Sequence, residues 1–188
     1  MRSVTEFTQL TDLLSGGLQH GTARYGTARC HAMPGRLAAL SYAWHLATTW
    51  SIPVVTKEDI SAFLQAEFPQ NTSVVQAVGR RGATVMQPVG VAQLRPGGTV
   101  SGPVMMGLAD VAVYVAILGE IGIVPLTVTT SLSINFLRKP VAERNVVAVC
   151  KLLKLGKTLA VGDVCIYSEG SPEVVAHAVA TYSIPPKR

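Results

Sequence analysis

Residues 104–119 read VMMGLADVAVYVAILG, and Asp110 and Tyr114 are the only ionisable side chains among them. The other residues are aliphatic, Met, Ala or Gly, which is typical of a helix buried on all sides. A lone carboxylate in such surroundings is destabilising by several kcal/mol unless it is paired or neutral. Asp110 is therefore where we expect chemistry. The alternative is that its carboxylate only hydrogen-bonds a neighbouring strand or helix in the core.

The composition indicates a globular protein. Of the 188 residues, 48% are hydrophobic and 14% charged, which excludes a disordered chain. As a helix, residues 104–119 would span roughly 24 Å, short of the ~30 Å hydrocarbon core, so we predict no membrane span. The net charge of +5 is scattered and aromatics are only 6%, which argues against nucleic-acid binding. A modest positive field is better suited to a small anionic ligand.

The cysteines and histidines show no metal-binding or disulfide spacing. There are three cysteines, Cys30, Cys150 and Cys165, without a C-x-x-C motif. Cys150 and Cys165 lie within apolar strand patterns and are predicted to be small core residues. We therefore expect a reducing, cytoplasmic compartment, no disulfide framework and no zinc site. The four histidines do not cluster in the sequence, and no metal or organic cofactor is expected.

The chain divides into two unequal parts. Residues 1–53 lack sustained periodicity and are predicted to be a poorly ordered N-terminal extension, or the product of a start codon assigned too far upstream. Residues 54–188 are predicted to form one domain. It begins with a helix, because Thr56 and Asp59 fit a capping box and apolar residues follow at positions 60, 63, 64 and 68. Pro69 ends this helix.

The pattern after the first helix predicts strands around one apolar helix. Two strand candidates, 73–79 and 83–89, precede a Pro/Gly-rich loop at 95–103, and four follow the apolar helix at 127–137, 145–155, 159–167 and 174–184. In 127–137, the apolar Val128 and Leu132 alternate with a polar set that includes Thr129 and Ser131. Short connections favour antiparallel neighbours. The predicted class is α+β, an antiparallel sheet wrapped around one long central helix, with a short N-terminal helix.

The start of the central helix offers a site for an oxyanion. Free backbone N–H groups and roughly half a positive charge from the helix dipole can polarise a carbonyl there. Asp110, about two turns further on, can act as a base or a nucleophile. Residues 102 and 110 are separated by about 12 Å along a straight helix. A site shared between two subunits would bring both groups to one carbonyl.

Several motifs in order resemble the PaaI-type acyl-CoA thioesterases, which have the hotdog fold. They are Gly102, the Leu108-Ala109-Asp110 triplet, VTTSLSINFLR at 128–138 and the LGKT turn at 155–158, and the resemblance covers residues 56–188. It implies hydrolysis of acyl-CoA thioesters to the free acid and CoA. It also implies a homodimer with facing central helices that often pairs into a homotetramer.

The resemblance also implies roles for individual residues. The Gly102 N–H would polarise the thioester carbonyl, and Asp110 of the partner subunit would act as base or nucleophile. Thr129 would help to position the attacking water. This chain has Ser101 and Pro103 where the family usually has the flanking residues of an H-G-G motif, and Arg95 where an Asn is frequent. The family binds CoA phosphates at strand ends, and three residues are candidates for that role: Arg138, Lys139 and Lys157.

We therefore predict an acyl-CoA thioesterase whose site lies at a dimer interface. The departures at the helix start leave an alternative, a non-catalytic acyl-CoA-binding or sensor protein of the same fold. A dehydratase is a third reading, but its usual histidine is missing from the helix-start loop and the central helix. The expected partners are the acyl-CoA substrate and further copies of the chain, not nucleic acid or a membrane. The sequence does not specify the acyl group.

Overall fold

The computed structural model describes residues 54–141 and 143–186. The helices are α1 (Lys57–Glu67) and α2 (Gly102–Ile121). The strands are β1 (Val74–Gly79), β2 (Gly82–Gln87), β3 (Leu94–Arg95), β4 (Thr99–Val100), β5 (Val128–Phe136), β6 (Val146–Leu155), β7 (Leu159–Ser168) and β8 (Val174–Ser183). The prediction for the N-terminal extension, residues 1–53, lies outside the described residues.

Six strands form one antiparallel sheet in the order β1-β2-β6-β7-β8-β5. The sheet wraps around α2, whose apolar residues form the centre of the core. This confirms the predicted α+β architecture. The short strands β3 and β4 form a separate hairpin before α2 that was not predicted. Its turn contains Gly97 and Gly98 at φ +93° and +68°, a region that favours glycine.

The first helix begins at the predicted capping box. The Asp59 N–H donates to Thr56 Oγ1 at 3.2 Å, and the Thr56 N–H donates to Asp59 Oδ2 at 3.3 Å. Ile60 and Leu64, four residues apart on one face, are buried in the core. A cap of this kind stabilises a helix by roughly 1 kcal/mol. It therefore defines where α1 begins.

Small residues let the central helix lie close to the sheet. The helix-facing side of β8 carries Ala176, Ala178 and Ala180, all buried. On β7, a Cβ at Gly162 would lie 2.7 Å from Val113 Cγ2, closer than real atoms approach. A larger side chain at any of these positions would push α2 away from the sheet.

The prediction that the central helix is buried on all sides was wrong for one stripe. Pro103, Met106 and Gly107 are exposed and Asp110 is partly exposed, whereas most of the remaining helix is buried. The sheet ends at β5, so it covers only part of the helix circumference. Among the described residues, α2 is long and apolar enough to cross a membrane, but it serves as the core helix of this domain.

Because of a bulge in β5, the Thr129 side chain lies on the opposite face of the strand from the one predicted. Thr129 pairs with Tyr182 and Ser131 pairs with Thr181, so Thr130 is an extra residue between two paired positions. An extra residue reverses the alternation of side chains. Thr129 therefore shares the helix-facing side with Leu132, instead of lying on the opposite face as the simple period of two predicted.

The cysteines behave differently from one another. Cys150 is a buried free thiol that packs in the core, as predicted. Cys165 is disulfide-bonded, which the prediction of no disulfide framework did not anticipate. A disulfide depends on which residues are neighbours in space, and the spacing of cysteines along the chain does not contain that information. Cys30 lies outside the described residues.

Candidate active site

Two hydroxyl groups converge on one oxygen of Asp110. Thr129 Oγ1 donates to Asp110 Oδ1 at 2.5 Å, and the Tyr182 hydroxyl donates to the same oxygen at 2.6 Å. The Tyr182 hydroxyl also lies 2.8 Å from the backbone carbonyl oxygen of Asp110. Within residues 54–141 and 143–186, no hydrogen bond reaches Oδ2. The carboxylate is thus paired through Oδ1, which offsets part of the desolvation it experiences on an apolar helix.

The register of the sheet brings the two hydroxyls together. Thr129 on β5 and Tyr182 on β8 are direct cross-strand partners, and both face α2. Sequence reasoning identified Thr129 only through the resemblance and missed Tyr182 altogether. A signal was present, because residues 176, 178 and 180 are alanines on one face of a predicted strand and position 182 continues that face. The sequence did not predict that Thr129 and Tyr182 share the helix-facing side of the sheet, because that depends on the β5 bulge.

The phenol of Tyr182 is held in its neutral form. Burial raises its pKa well above the usual value, and the negative charge of Asp110 raises it further. Its ring stacks on Tyr114 with the centroids 6.3 Å apart and the planes 15° from parallel. The Tyr114 hydroxyl donates to the Pro125 carbonyl at 3.2 Å. The ring stack helps to fix the position of Tyr182, which remains a proton donor to the carboxylate.

A cavity of about 360 Å³ opens beside Asp110, between α1, α2 and the start of β5. Its walls are mainly apolar and include four aromatic rings. The lining residues are Phe63, Glu67, Phe68, Asp110, Val111, Tyr114, Pro125, Thr127, Val128, Thr129 and Tyr182. An apolar cavity with carboxylates at its wall, here those of Asp110 and Glu67, can hold a small organic group next to an acid or base. Gly102 does not line this cavity.

The start of α2 has the features predicted for an oxyanion site. Ser101 is the N-cap residue and makes no side-chain cap hydrogen bond, and Gly102 and Pro103 follow in the first turn. In the described part of the chain, no hydrogen bond takes up the Gly102 N–H. A Cβ at position 102 would lie 3.1 Å from Phe136 Cζ, so a larger residue there would press on this ring. Among the described residues, this N–H therefore has no hydrogen-bond acceptor, and it lies at the positive end of a 20-residue helix.

The predicted cationic residues lie at two different ends of the sheet. The backbone N–H of Arg138 donates to the Val175 carbonyl at the start of β8, and its side chain pairs with Glu173 at 3.1 Å. Lys139 follows Arg138 and is exposed. Lys157 is exposed in the turn between β6 and β7, beside the end of β8. A strand of this length spans roughly 30 Å, so one protomer does not bring these cations into a single phosphate site.

The start of α2 lies at the end of the sheet that carries Arg138, whereas Asp110 lies towards the opposite end. Gly102 lies against Phe136, two residues before Arg138. Asp110 instead contacts Thr129 and Tyr182 near the end of β8. The exposed Arg95, on the β3–β4 hairpin, precedes the helix start. Two groups of predicted site residues thus form, and a single chain keeps them apart: Arg95, Ser101, Gly102, Pro103, Arg138 and Lys139 at one end, and Asp110, Thr129 and Lys157 at the other.

A separate polar cluster lies on the outer face of the sheet. His177 is buried and its Nε2 lies 2.7 Å from Asp163 Oδ1. The ligand-type atoms of Asp163, Cys165 and His177 all lie within 4.8 Å of one another, although the sequence showed no clustering of metal ligands. Because Cys165 is disulfide-bonded, its sulfur is not a thiolate that could bind a metal ion.

We expect the domain to lose stability in alkaline solution because buried groups must stay protonated. Burial raises the pKa of the Cys150 thiol and of the Tyr182 phenol. A group whose pKa is raised by folding contributes stability that is complete below its unfolded pKa, about 8.5 for Cys and 10 for Tyr, and is lost as the pH rises above it. Each group should lower the free energy of unfolding by about 1.4 kcal/mol per pH unit there.

Urea unfolding at pH 7.5, 9 and 10 measures this slope. The Cys150→Ala variant should show a shallower decline between pH 9 and 10 than the wild type, because the variant has one fewer group to keep protonated. Identical slopes in the two proteins would show that Cys150 does not contribute to the pH dependence.

Comparisons with known proteins agree with this architecture. The profile of the thioesterase superfamily matches residues 97–175. A protein of Silicibacter sp. TM1040, described as a proposed thioesterase, has a solved structure that is 46% identical. Its TM-score is 0.67, and the alignment covers 71% of this chain and 94% of that one. The search of curated proteins found no match.

Two more distant structures share the fold. The PaaI protein of the E. coli phenylacetic acid degradation operon is 20% identical with a TM-score of 0.62, over 72% of this chain and 96% of that one. A thioesterase from Haemophilus influenzae is also 20% identical with a TM-score of 0.62, over 74% and 96%. The family profile and the 46% identical Silicibacter structure support acyl-thioester hydrolysis as the general activity. The chain belongs to the thioesterase superfamily and has the PaaI-type hotdog fold.

Proposed function

We propose that this protein hydrolyses acyl-CoA thioesters to the free acid and CoA at a site shared by two protomers. The observation that carries the proposal is the pairing of Asp110 with two hydroxyl donors at the wall of an apolar cavity. The helix-start N–H that would complete the site has no partner among the described residues and lies at the other end of the sheet. Both halves of a hydrolytic site are present, but one protomer separates them.

An antiparallel pairing of two β5 strands would join the halves. β5 is an edge strand that pairs only with β8 in the part of the chain described here, and most of its residues are exposed. An unpaired edge is a template for a second strand. In a two-fold pair, the Thr129 end of one β5 lies beside the Phe136 end of the other. Gly102, which contacts Phe136, would thus approach Asp110 of the partner subunit.

The exposed stripe of α2 supports the same arrangement. Met106 is 41% exposed, Phe136 is 50% exposed, and Pro103 and Gly107 are exposed beside them. A two-fold pair would bury this apolar stripe against its own copy, with the central helices facing each other. Burial would also remove water from around Asp110, which strengthens its electrostatic interactions with the substrate.

Hydrolysis at this site can follow either of two routes. In the first, Asp110 takes a proton from water as its oxygen attacks the thioester carbon, and the Gly102 N–H of the facing protomer holds the oxyanion. The C–S bond then breaks, and the departing CoA thiolate takes the proton from Asp110. In the second, Asp110 attacks directly and the thiolate leaves; water then hydrolyses the resulting anhydride, which releases the acid, regenerates the Asp110 carboxylate and supplies the proton that the thiolate takes up. Thr129 and Tyr182 hold the acid in either case.

The remaining predicted residues would bind the substrate. Arg138 and Lys139 lie at the helix-start end of one protomer, and a two-fold pair brings that end near Lys157 of the partner subunit. These cations could hold CoA phosphates by charge. Arg95, Ser101 and Pro103 flank the helix start and would contact the thioester or the adjoining part of CoA.

Assay of a panel of acyl-CoA esters, with released thiol as the readout, tests the proposal. We expect turnover of at least one ester at a rate well above that of the buffer. The departures at Ser101, Pro103 and Arg95 support one second candidate, an acyl-CoA-binding protein without turnover. Tight binding measured by calorimetry, together with no release of thiol from any ester, would favour that candidate and contradict hydrolysis.

A further inference from the structure

We infer that Tyr182 is a positioning residue for hydrolysis: together with Thr129 it holds Asp110 by Oδ1 and leaves Oδ2 to react. This inference rests on the proposed function and adds a residue to its site. The Tyr182 hydroxyl and Thr129 Oγ1 donate to the same carboxylate oxygen from two neighbouring strands. No described residue donates to Oδ2. The two oxygens of Asp110 are therefore not equivalent.

Two donors on one oxygen fix the rotation of the carboxylate. The terminal torsion of an aspartate is broad, so one hydrogen bond leaves the plane of the group free to turn. A second donor from a different strand restricts that rotation. Tyr182 is itself well fixed, because it is 2% exposed and stacked on Tyr114. Asp110, in contrast, is partly exposed on α2 and needs such support.

The position of Tyr182 in β8 also indicates a role beyond packing. The three preceding residues on its face are alanines, which fit beneath the closely packed α2. At position 182 a large ring replaces the small side chain and carries a hydroxyl to both Oδ1 and the backbone carbonyl of Asp110. A phenylalanine would fill the same space. The hydroxyl is the part of the side chain that packing does not require.

Loss of the hydroxyl should act on the reaction and not on substrate binding. In Tyr182→Phe the carboxylate keeps one donor, Thr129, and can turn away from its reactive orientation. A misplacement of about 1 Å costs roughly 100-fold in rate, so we expect kcat to fall about 10- to 100-fold with little change in KM. Hydrogen bonds to a carboxylate favour its ionised form, so the acid limb of the pH–kcat/KM profile should move to higher pH.

The experiment compares Tyr182→Phe with Tyr114→Phe by kcat, KM, pH profile and melting temperature. Tyr114 stacks on the same ring, but its hydroxyl donates to the Pro125 carbonyl. Tyr114→Phe should therefore keep the acid limb of the wild type, even if its KM differs. Thr129→Val should shift the limb as Tyr182→Phe does. Thr130→Val is its control, because Thr130 Oγ1 donates to the Thr181 carbonyl and does not contact Asp110.

The possible results separate this inference from the proposed function. A lower melting temperature of Tyr182→Phe with kcat and the acid limb unchanged would assign the hydroxyl to stability alone and overturn the inference, while hydrolysis itself would stand. An equal shift of the acid limb in Tyr114→Phe would also overturn it. A wild type that hydrolyses none of the acyl-CoA esters would overturn the proposed function, and this inference with it.

Discussion

Replacing Asp110 with Asn is expected to lower kcat for acyl-CoA hydrolysis about 1000-fold, within the range known for loss of an acid–base group. The amide cannot take a proton from water and is not a nucleophile. Its carbonyl oxygen can still accept from Thr129 and Tyr182, so the fold should be retained. Steady-state release of thiol, together with the melting temperature, measures both effects.

Glu58→Gln is the matched control for this change. It also removes one negative charge, but Glu58 is exposed in the first turn of α1 and does not line the cavity. Its rate should equal that of the wild type. A rate for Asp110→Asn within a factor of a few of the wild type would mean that Asp110 is a structural residue, as the alternative reading of the sequence allowed.

The second large effect is expected at Gly102. Two substitutions there distinguish the role of the backbone N–H from the role of the small size of glycine. Gly102→Pro removes the N–H, and proline is tolerated in the first turn of a helix. Loss of one oxyanion donor typically lowers kcat about 100- to 1000-fold, and we expect that loss here. Gly102→Ala keeps the N–H and adds a Cβ that must displace the half-exposed Phe136 ring.

The alanine variant therefore measures the steric effect alone. We expect it to be only several-fold slower than the wild type, since the Phe136 ring needs to shift by only a few tenths of an ångström to admit the added Cβ. Circular dichroism should show that both variants retain α2. If the alanine and proline variants lost the same amount of activity, the loss would come from pressure on Phe136, and the N–H would have no role.

The sequence predicted the main elements because their signals are local. The capping box of Thr56 and Asp59, the apolar central helix and the short turns between the last strands depend on residues a few positions apart. Asp110 was identified for the same reason, as a carboxylate in an apolar run. Local patterns are strongest where a segment is long and periodic.

The features that were missed depend on contacts between distant residues. The β5 bulge turns Thr129 toward the helix, and only the pairing with β8 reveals it. Tyr182 is 72 residues from Asp110 along the chain, so no motif links them. The disulfide at Cys165 and the exposed stripe of α2 likewise depend on what lies nearby in three dimensions.

The departures from the family pattern are concentrated at the helix start. Ser101, Pro103 and Arg95 replace usual family residues, yet the geometry that needs a glycine at position 102 remains, with Phe136 lying against it. Asp110 also retains its two donors. We therefore expect these changes to alter which acyl-CoA ester is preferred, while hydrolysis itself is retained.

Mixing two inactive variants tests directly whether the site is shared. Asp110→Asn and Gly102→Pro protomers, combined at random by co-expression, should recover about a quarter of wild-type activity, because one site in four joins an intact Gly102 to an intact Asp110. Each variant alone should remain nearly inactive. A mixture no more active than its two parents, in spite of confirmed mixed dimers, would contradict the shared site.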